Sequence, residues 1–170
     1  RIVATVPGGA ANVQEIYPLA PLQQGLLYHH LRDSHDPYQQ QALFAFTDQA
    51  AFEAFAHALQ QVVERHDILR TSLAWEGLEQ PQQVVWRQAQ LPVEVLRAGP
   101  DDTARALSAH YSAAQRPLDL RHAPMMALAG AEDREHGRWL GLLRFHHLVN
   151  DAVSVQVLLG ELRALMSDQG

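Results

Sequence analysis

Cysteine and lysine are both missing from this chain of 170 residues. Without cysteine there is no disulfide framework and no thiolate nucleophile. All 13 residues in the Lys and Arg count are arginine, so covalent chemistry through a lysine amine is also excluded within the chain. The chemistry of the chain must therefore use other side chains.

Long apolar runs are absent as well, since none approaches the ~18 residues that a membrane-spanning helix needs. The net charge of −6 argues against a surface that binds nucleic acid. The chain opens at Arg1 without an apolar signal-peptide core, so we expect a cytoplasmic segment cut from a longer protein. Its length and its apolar fraction of 47% fit one globular domain with a core of its own.

Two catalytic signatures are also missing. The sequence has no G-x-S-x-G segment, in which a serine nucleophile stands on a sharp turn. It has no glycine-rich loop of the kind that surrounds phosphate groups. These absences argue against a serine hydrolase and against a phosphate-binding loop.

What the chain does contain is a pair of adjacent histidines at the end of an apolar run. Residues 138–146 read as a strand that ends in His146, His147 follows, and Asp151 lies four residues further on. Because neighbouring side chains of a strand point to opposite faces, we predict that His146 faces the packed interior and His147 an opening. Asp151 stands where its carboxylate can cap a following helix. The apolar residues that predict this helix are Val153, Val157, Leu158, Leu162 and Leu165.

Two other interpretations of this stretch stay open on the residues alone. His147 and Asp151 are four positions apart, a spacing that two metal ligands can have on a helix. No third ligand is evident at a suitable spacing, so we predict no metal site. The other alternative is a buried, hydrogen-bonded histidine pair without a catalytic role.

The rest of the chain alternates between predicted helices and strands. Residues 1–15 contain Pro7-Gly8-Gly9 and little periodicity, which predicts a linker. A helix is predicted from Pro21, and its Leu22, Leu26 and Leu27 form an apolar stripe that we expect to be buried.

A second helix is predicted after Asp48, which is placed to cap it. The apolar stripe of this helix is Phe52, Phe55, Leu59, Val62 and Val63. A third helix is predicted from Asp101 and Asp102 through Ala114. Strands are predicted over 40–47, 71–75, 83–86, 93–96, 127–131 and 138–146. This mixture without repeats predicts an α/β fold, an α+β sandwich in which helices cover a mixed sheet.

Four segments, in order, resemble motifs of one family. They are YPLAPLQQGLLYHH (17–30), ERHDILRTSL (64–73), RPLDLRHAPMM (116–126) and HHLVNDA (146–152). Together they resemble the condensation domains of nonribosomal peptide synthetases, a family related in fold to chloramphenicol acetyltransferase. The last segment is similar to the family signature HHxxxDG, with Ala152 where glycine is commonest.

The resemblance implies a fold, a reaction and a set of roles. Residues 16–170 would form the amino-terminal lobe of a condensation domain, which joins two carrier-bound substrates through a peptide bond. His147 would be the catalytic residue, and His146, Asp151, Arg65 and Arg70 would support the site.

The resemblance also implies partners, namely upstream and downstream peptidyl carrier proteins and the carboxy-terminal lobe of the domain. No cofactor would bind directly, because the phosphopantetheine arms belong to the carriers. We expect the lobe to be inactive alone, because the substrate tunnel lies between two lobes in this family.

Three further possibilities remain beside this reading. His29 and His30 partly match an early histidine motif of domains that both epimerise and condense, so they are candidates for epimerisation. A free-standing acyltransferase that uses coenzyme A is a second possibility. A non-catalytic module that only docks carrier proteins is the third.

Overall fold

The computed structural model describes residues 2–32, 39–97, 102–113, 115–147 and 160–164. Its α-helices are α1 (Ile2–Thr5), α2 (Pro21–Arg32), α3 (Gln49–Arg65) and α4 (Thr103–His110), with 3-10 turns at Gly9–Asn12 and Asp67–Arg70. Its strands are β1 (Val13–Pro18), β2 (Gln39–Phe46), β3 (Thr71–Ala74), β4 (Gln82–Trp86), β5 (Val93–Val95), β6 (Met126–Asp133) and β7 (Arg138–His146). Residues 160–164 are also helical.

The strands form two sheets. One sheet has the order β1-β4-β3 and is antiparallel throughout. The other has the order β2-β7-β6-β5, in which only the pairing of β5 with β6 is parallel. The predicted architecture, a mixed sheet covered by helices, is therefore confirmed.

The four-stranded sheet is covered by a helix on each face. Side chains alternate along β7, so Leu140 and Leu142 pack with Leu107 of α4, whereas Leu143 and Phe145 belong to the larger core that includes α3. Helix α3 begins where it was predicted, because the Asp48 carboxylate accepts a hydrogen bond of 2.9 Å from the Ala51 amide. All five apolar residues of its predicted stripe are buried: Phe52, Phe55, Leu59, Val62 and Val63.

Two facing glycines allow α3 to pack closely on the sheet. Gly130 of β6 pairs with Gly141 of β7, and both lie under the ring of Phe52. A Cβ atom on Gly130 would overlap the Phe52 ring, and one on Gly141 would lie 2.8 Å from Phe46 Cε2. The sheet therefore accommodates a large aromatic ring only because these two positions lack side chains.

The aromatic contacts of α3 also fix its direction on the sheet. The Phe52 ring stacks on Trp139 at 5.7 Å between centroids, and Phe55 lies 5.1 Å from Phe44. In the β2–β7 register Phe44 is opposite Gly141, two residues beyond Trp139. The helix consequently runs in the same direction as β7.

The distances along α3 and β7 agree. The ten residues from Phe55 to Arg65 rise about 15 Å along a helix. The five residues from Gly141 to His146 extend about 17 Å along a strand. The carboxyl ends of α3 and β7 are thus at the same end of the helix–sheet layer.

Residues 2–15, in the segment predicted as a linker, have regular structure. Residues 2–12 form α1 and a 3-10 turn, Val6 is buried, and β1 pairs with β4. Gly8 and Gly9 have positive φ and turn the chain, while Asn12 bonds both Pro7 and Gln88. Because these contacts are tertiary, the segment has no local periodicity by which it could be recognised.

Two smaller expectations also fail. Leu22 of α2 is 64% exposed, and only Leu26 and Leu27 of its predicted stripe are buried. Helix α4 ends at His110 instead of continuing through Ala114, because Tyr111 leaves the helical conformation and packs under Arg144. Among the described helices, none has the length and hydropathy of a membrane span.

The glycine contact generates a stability prediction. Gly130→Ala should lower the free energy of unfolding by roughly 1–3 kcal/mol, because the added methyl group displaces the buried Phe52 ring. Urea denaturation of the two proteins measures the difference.

Gly25→Ala is the matched control, since Gly25 is exposed within α2 and no atom lies within 4 Å of its added Cβ. We expect that variant to be unchanged or more stable by up to about 1 kcal/mol. Equal stability of the Gly130→Ala protein and the wild type would contradict the packing argument.

Candidate functional site

The histidine pair lies at the carboxyl end of β7. His146 is 0% exposed, pairs with Gln39 of β2, and donates its amide to the Met125 carbonyl at 3.2 Å. His147 follows the last residue of the strand and is partly exposed. The prediction that His146 faces the packed interior is confirmed, and His147 has the more accessible side chain of the pair.

Helix α2 brings one of the early histidines to this pair. The His30 ring lies 6.0 Å from the His146 ring in an edge-to-face arrangement, with an interplanar angle of 82°. His29 lies against Tyr28 of its own helix, at 5.8 Å between ring centroids. Although the two histidines are adjacent in sequence, it is His30 that contacts the first histidine of the HHLVNDA segment.

The segment RPLDLRHAPMM runs beside the histidine pair and connects the two sheets. Its Leu118 amide donates to the Gln39 side chain at 2.7 Å, and its Leu120 carbonyl accepts from the Leu73 amide of β3 at 2.7 Å. Its Met125 carbonyl accepts the His146 amide. Backbone groups of this segment thus hold the end of β7 against β2 and β3.

A buried arginine lies two residues before His146 on the same strand. Arg144 donates to the Arg116 carbonyl at 2.7 Å, and its guanidinium lies 4.9 Å from the centre of the Tyr111 ring. Burial lowers the pKa of Arg144. Burial and a 2.8 Å hydrogen bond to Glu94 raise the pKa of Tyr111 to about 12, so Tyr111 stays protonated and its hydroxyl donates a hydrogen bond to that carboxylate.

The two arginines predicted to support the site occupy different environments. Arg65, the last residue of α3, is exposed. Arg70 is buried and donates to the Trp86 and Arg87 carbonyls, to Gln14 and to Asp67, the last at 2.6 Å. These bonds join the turn after α3 to β1 and β4, so Arg70 holds the three-stranded sheet and does not bond the histidine pair.

His66, from the same segment, contacts the chain beyond the histidine pair. Its Nε2 lies 2.7 Å from Glu161 Oε2, across 95 positions of sequence. Leu162, next to Glu161, is buried in the main core, as the apolar spacing of this helix predicts. The ERHDILRTSL segment therefore contacts the helix that follows HHLVNDA.

Two residues of the HHLVNDA segment, Asp151 and Ala152, lie outside the described residues. A cleft of about 1010 Å3 is lined by Asn12, Gln60, Glu64, Arg87 and His122, among others, and its described lining includes neither the histidine pair of β7 nor the two histidines of α2. Among the described residues, no group of three or more acidic or histidine side chains could hold a metal ion.

A family model describes nearly this whole arrangement. Residues 13–168 match the model for the condensation domain. The chain belongs to the condensation domain family. The recognition of a nonribosomal peptide synthetase condensation domain is thus confirmed.

Curated relatives agree with this assignment. Malpibaldin synthetase of Mortierella alpina is 41% identical over 169 residues, which cover 98% of this chain and 3% of the synthetase. Tyrocidine synthase 2 of Brevibacillus parabrevis is 30% identical over 159 residues, which cover 91% of this chain and 4% of the synthase. The condensation-domain chain thus spans only a small part of the relatives that it matches.

Solved structures agree on the fold. A four-domain nonribosomal peptide synthetase superposes with a TM-score of 0.75 at 17% identity, over 91% of this chain and 12% of its own. The epimerization domain from the third module of tyrocidine synthetase B superposes with a TM-score of 0.71 at 23% identity, over 91% of this chain and 35% of its own. The predicted chloramphenicol acetyltransferase-like fold is confirmed for the condensation domain.

Sequence reasoning missed several residues around the condensation-domain histidines. Arg144 could have been found from its position, because residues two apart on a strand share a face. His66 and Glu161 carried no such signal, since nothing local relates residues 95 positions apart. The contact of His30 with His146 was equally invisible, because it depends on how α2 packs.

The contrast between the two arginines can be tested by stability measurements. Arg70→Met should lower the free energy of unfolding by roughly 2–4 kcal/mol, because it leaves the buried Trp86 carbonyl without its charged donor. Arg65→Met is the matched control from the same segment, and its exposed position predicts a change within about 0.5 kcal/mol. Similar unfolding midpoints in urea for both variants would contradict the structural role of Arg70.

Proposed function

We propose that this condensation-domain chain is the amino-terminal lobe of a domain that joins two carrier-bound substrates, and that His147 is its catalytic residue. The observation that carries the proposal is the position of His147, a partly exposed imidazole that directly follows a strand whose last residue is fully buried. A side chain on such a rigid support can hold a substrate group in a defined geometry.

The proposed reaction needs little activation of the substrates. The amine of an aminoacyl group on the downstream carrier attacks the thioester carbonyl of the group on the upstream carrier. The new C–N bond forms, the C–S bond breaks, and the proton lost by the amine balances the thiolate that leaves. His147 accepts a hydrogen bond from the attacking amine or takes its proton, as a neutral imidazole can near physiological pH.

Carrier proteins and a second lobe are part of the same proposal. Upstream and downstream peptidyl carriers bring the substrates on phosphopantetheine arms, and the chain itself binds no cofactor. His146, buried under His30, supports the position of β7. Asp151 is proposed to be structural, on the strength of the family resemblance.

The share of each solved domain that the chain covers supports a division into two lobes. The matched epimerization domain is covered over 35% of its chain, and a starter condensation domain of rhizomide synthetase over 33%. We propose that the carboxy-terminal lobe completes the substrate tunnel. The 170-residue lobe alone should therefore be inactive.

Replacing His147 tests the catalytic assignment. In the parent synthetase, His147→Ala should lower the rate of peptide formation by about 100-fold or more, because a positioned acid–base group contributes about that much. The measurement is single-turnover product formation with both carriers loaded, together with the melting temperature, which should not change. His57→Ala, an exposed histidine of α3, is the control and should be as active as the wild type.

Near wild-type product formation by His147→Ala would remove His147 from the mechanism. In a parallel reaction the isolated lobe replaces the parent synthetase and should form no peptide from the same loaded carriers. Product from the isolated lobe would contradict the need for a second lobe.

Epimerisation of the donor before coupling is a second candidate function. The observation that favours it is the contact of His30 with His146, which places an early histidine beside the proposed site. In this reaction a base removes the α-proton of the thioester substrate and a proton returns to the opposite face.

Stereochemical analysis separates this second function from simple condensation. If it holds, His30→Ala should abolish inversion of an L-configured donor but keep coupling of a supplied D-configured donor. His29→Ala is the matched control and should keep both activities, because His29 packs against Tyr28. Inversion by the His30→Ala protein at the wild-type rate would contradict a role in epimerisation.

A further inference from the structure

A hydrogen-bonded pair links two segments that surround the histidine pair in sequence. His66 Nε2 and Glu161 Oε2 are 2.7 Å apart, and their side chains are 25% and 30% exposed. This distance is that of a hydrogen bond, and the attraction between the two groups is stronger if the imidazole is charged. Partial burial reduces the competition from water for both groups.

His66 stands on a rigid part of the fold. It joins the end of α3 to the 3-10 turn Asp67–Arg70 in an extended conformation, with φ −118° and ψ 119°. Its carbonyl accepts the Leu69 amide at 3.1 Å, and the turn is held by the bonds of Arg70 and by Thr71 Oγ1, which donates to the Asp67 carbonyl at 2.8 Å. The backbone that presents the His66 ring is thus fixed on both sides.

Glu161 lies on a helical segment with few other attachments among the described residues. Within 160–164, Leu162 is buried at 3% exposure, whereas Gly160, Arg163 and Ala164 are exposed. The burial of Leu162 holds this segment against the core. The bond from the neighbouring Glu161 to His66 supplies another point of attachment.

This attachment lies at the same end of the molecule as the proposed site. Helix α3 runs in the direction of β7, so His66 at the end of the helix and His147 at the end of the strand are at one end of the layer. Leu162, next to Glu161, and Phe145, two residues before His147, belong to the same hydrophobic core cluster.

We infer that His66 is a positioning residue for the condensation reaction, which acts through its bond to Glu161. The inference rests on the proposed function of His147. Through Glu161, His66 fixes the helical segment 160–164, whose Leu162 shares a core with Phe145 of β7, and so supports the end of the strand that presents His147. Its effect should appear in the chemical step and not in carrier binding, because neither residue needs to touch a substrate.

A double-mutant cycle in the parent synthetase tests this inference. His66→Ala and Glu161→Ala should each lower kcat about tenfold, with KM for both loaded carriers unchanged, because small displacements of a catalytic group lower the rate of the chemical step. The double variant should be no slower than either single variant, since both remove one bond. Glu161→Gln keeps an oxygen acceptor for the imidazole and should recover most of the activity.

A matched control and a second measurement separate positioning from loss of structure. Arg163→Ala, an exposed residue of the same helical segment, should leave kcat unchanged. Amide hydrogen exchange over residues 160–164 should become faster in His66→Ala while melting temperatures stay close to the wild type. Wild-type kcat in His66→Ala, or single losses that multiply in the double variant, would overturn the inference.

The same experiment distinguishes this inference from the proposed function. Wild-type and His147→Ala synthetases are assayed beside the cycle. If wild-type protein condenses and His147→Ala does not, the proposed function stands and the cycle alone decides the role of His66. If His147→Ala remains active, the proposed function fails. Independently of that result, unchanged hydrogen exchange over residues 160–164 in His66→Ala would show that His66 does not hold this segment.

Discussion

The packing of α3 on the four-stranded sheet is the contact on which the rest of this structure depends. It requires Gly130 and Gly141 to face each other, because only then does the Phe52 ring fit against the strands. This contact sets both the distance and the direction of the helix. It consequently decides which end of the sheet receives His66, and that end is also where β7 delivers His146 and His147.

Several polar side chains of the fold bond backbone groups. Arg70 bonds the carbonyls of Trp86 and Arg87 at the end of β4, Arg144 bonds the Arg116 carbonyl, and the Gln39 side chain accepts a hydrogen bond from the Leu118 amide. A buried carbonyl or amide without a partner costs free energy, so these side chains stabilise the frame around the histidines. The frame holds β7 in place, and His147 is left partly exposed at its end.

Such an arrangement suits a reaction whose substrates are already activated. A thioester needs little help from a strong base or from a metal ion, and the main requirement is that two tethered groups meet in line. In the proposed reaction, His147 at the end of a well-supported strand meets that requirement. The bond between His66 and Glu161 and the contact between His30 and His146 both join segments that are distant in sequence.

The sequence by itself determined the family, most strand and helix positions and the burial of His146, because these depend on local periodicity, on caps such as Asp48 and on four ordered segments. It did not reveal that residues 2–15 belong to the fold, because β1 is defined by its pairing with β4 and not by its own pattern. It could not separate exposed Arg65 from buried Arg70, five positions away in the same segment. Only the tertiary structure decided which distant residues meet, such as His66 and Glu161, because the packing direction of α3 on β7 is set by side-chain volumes on both elements.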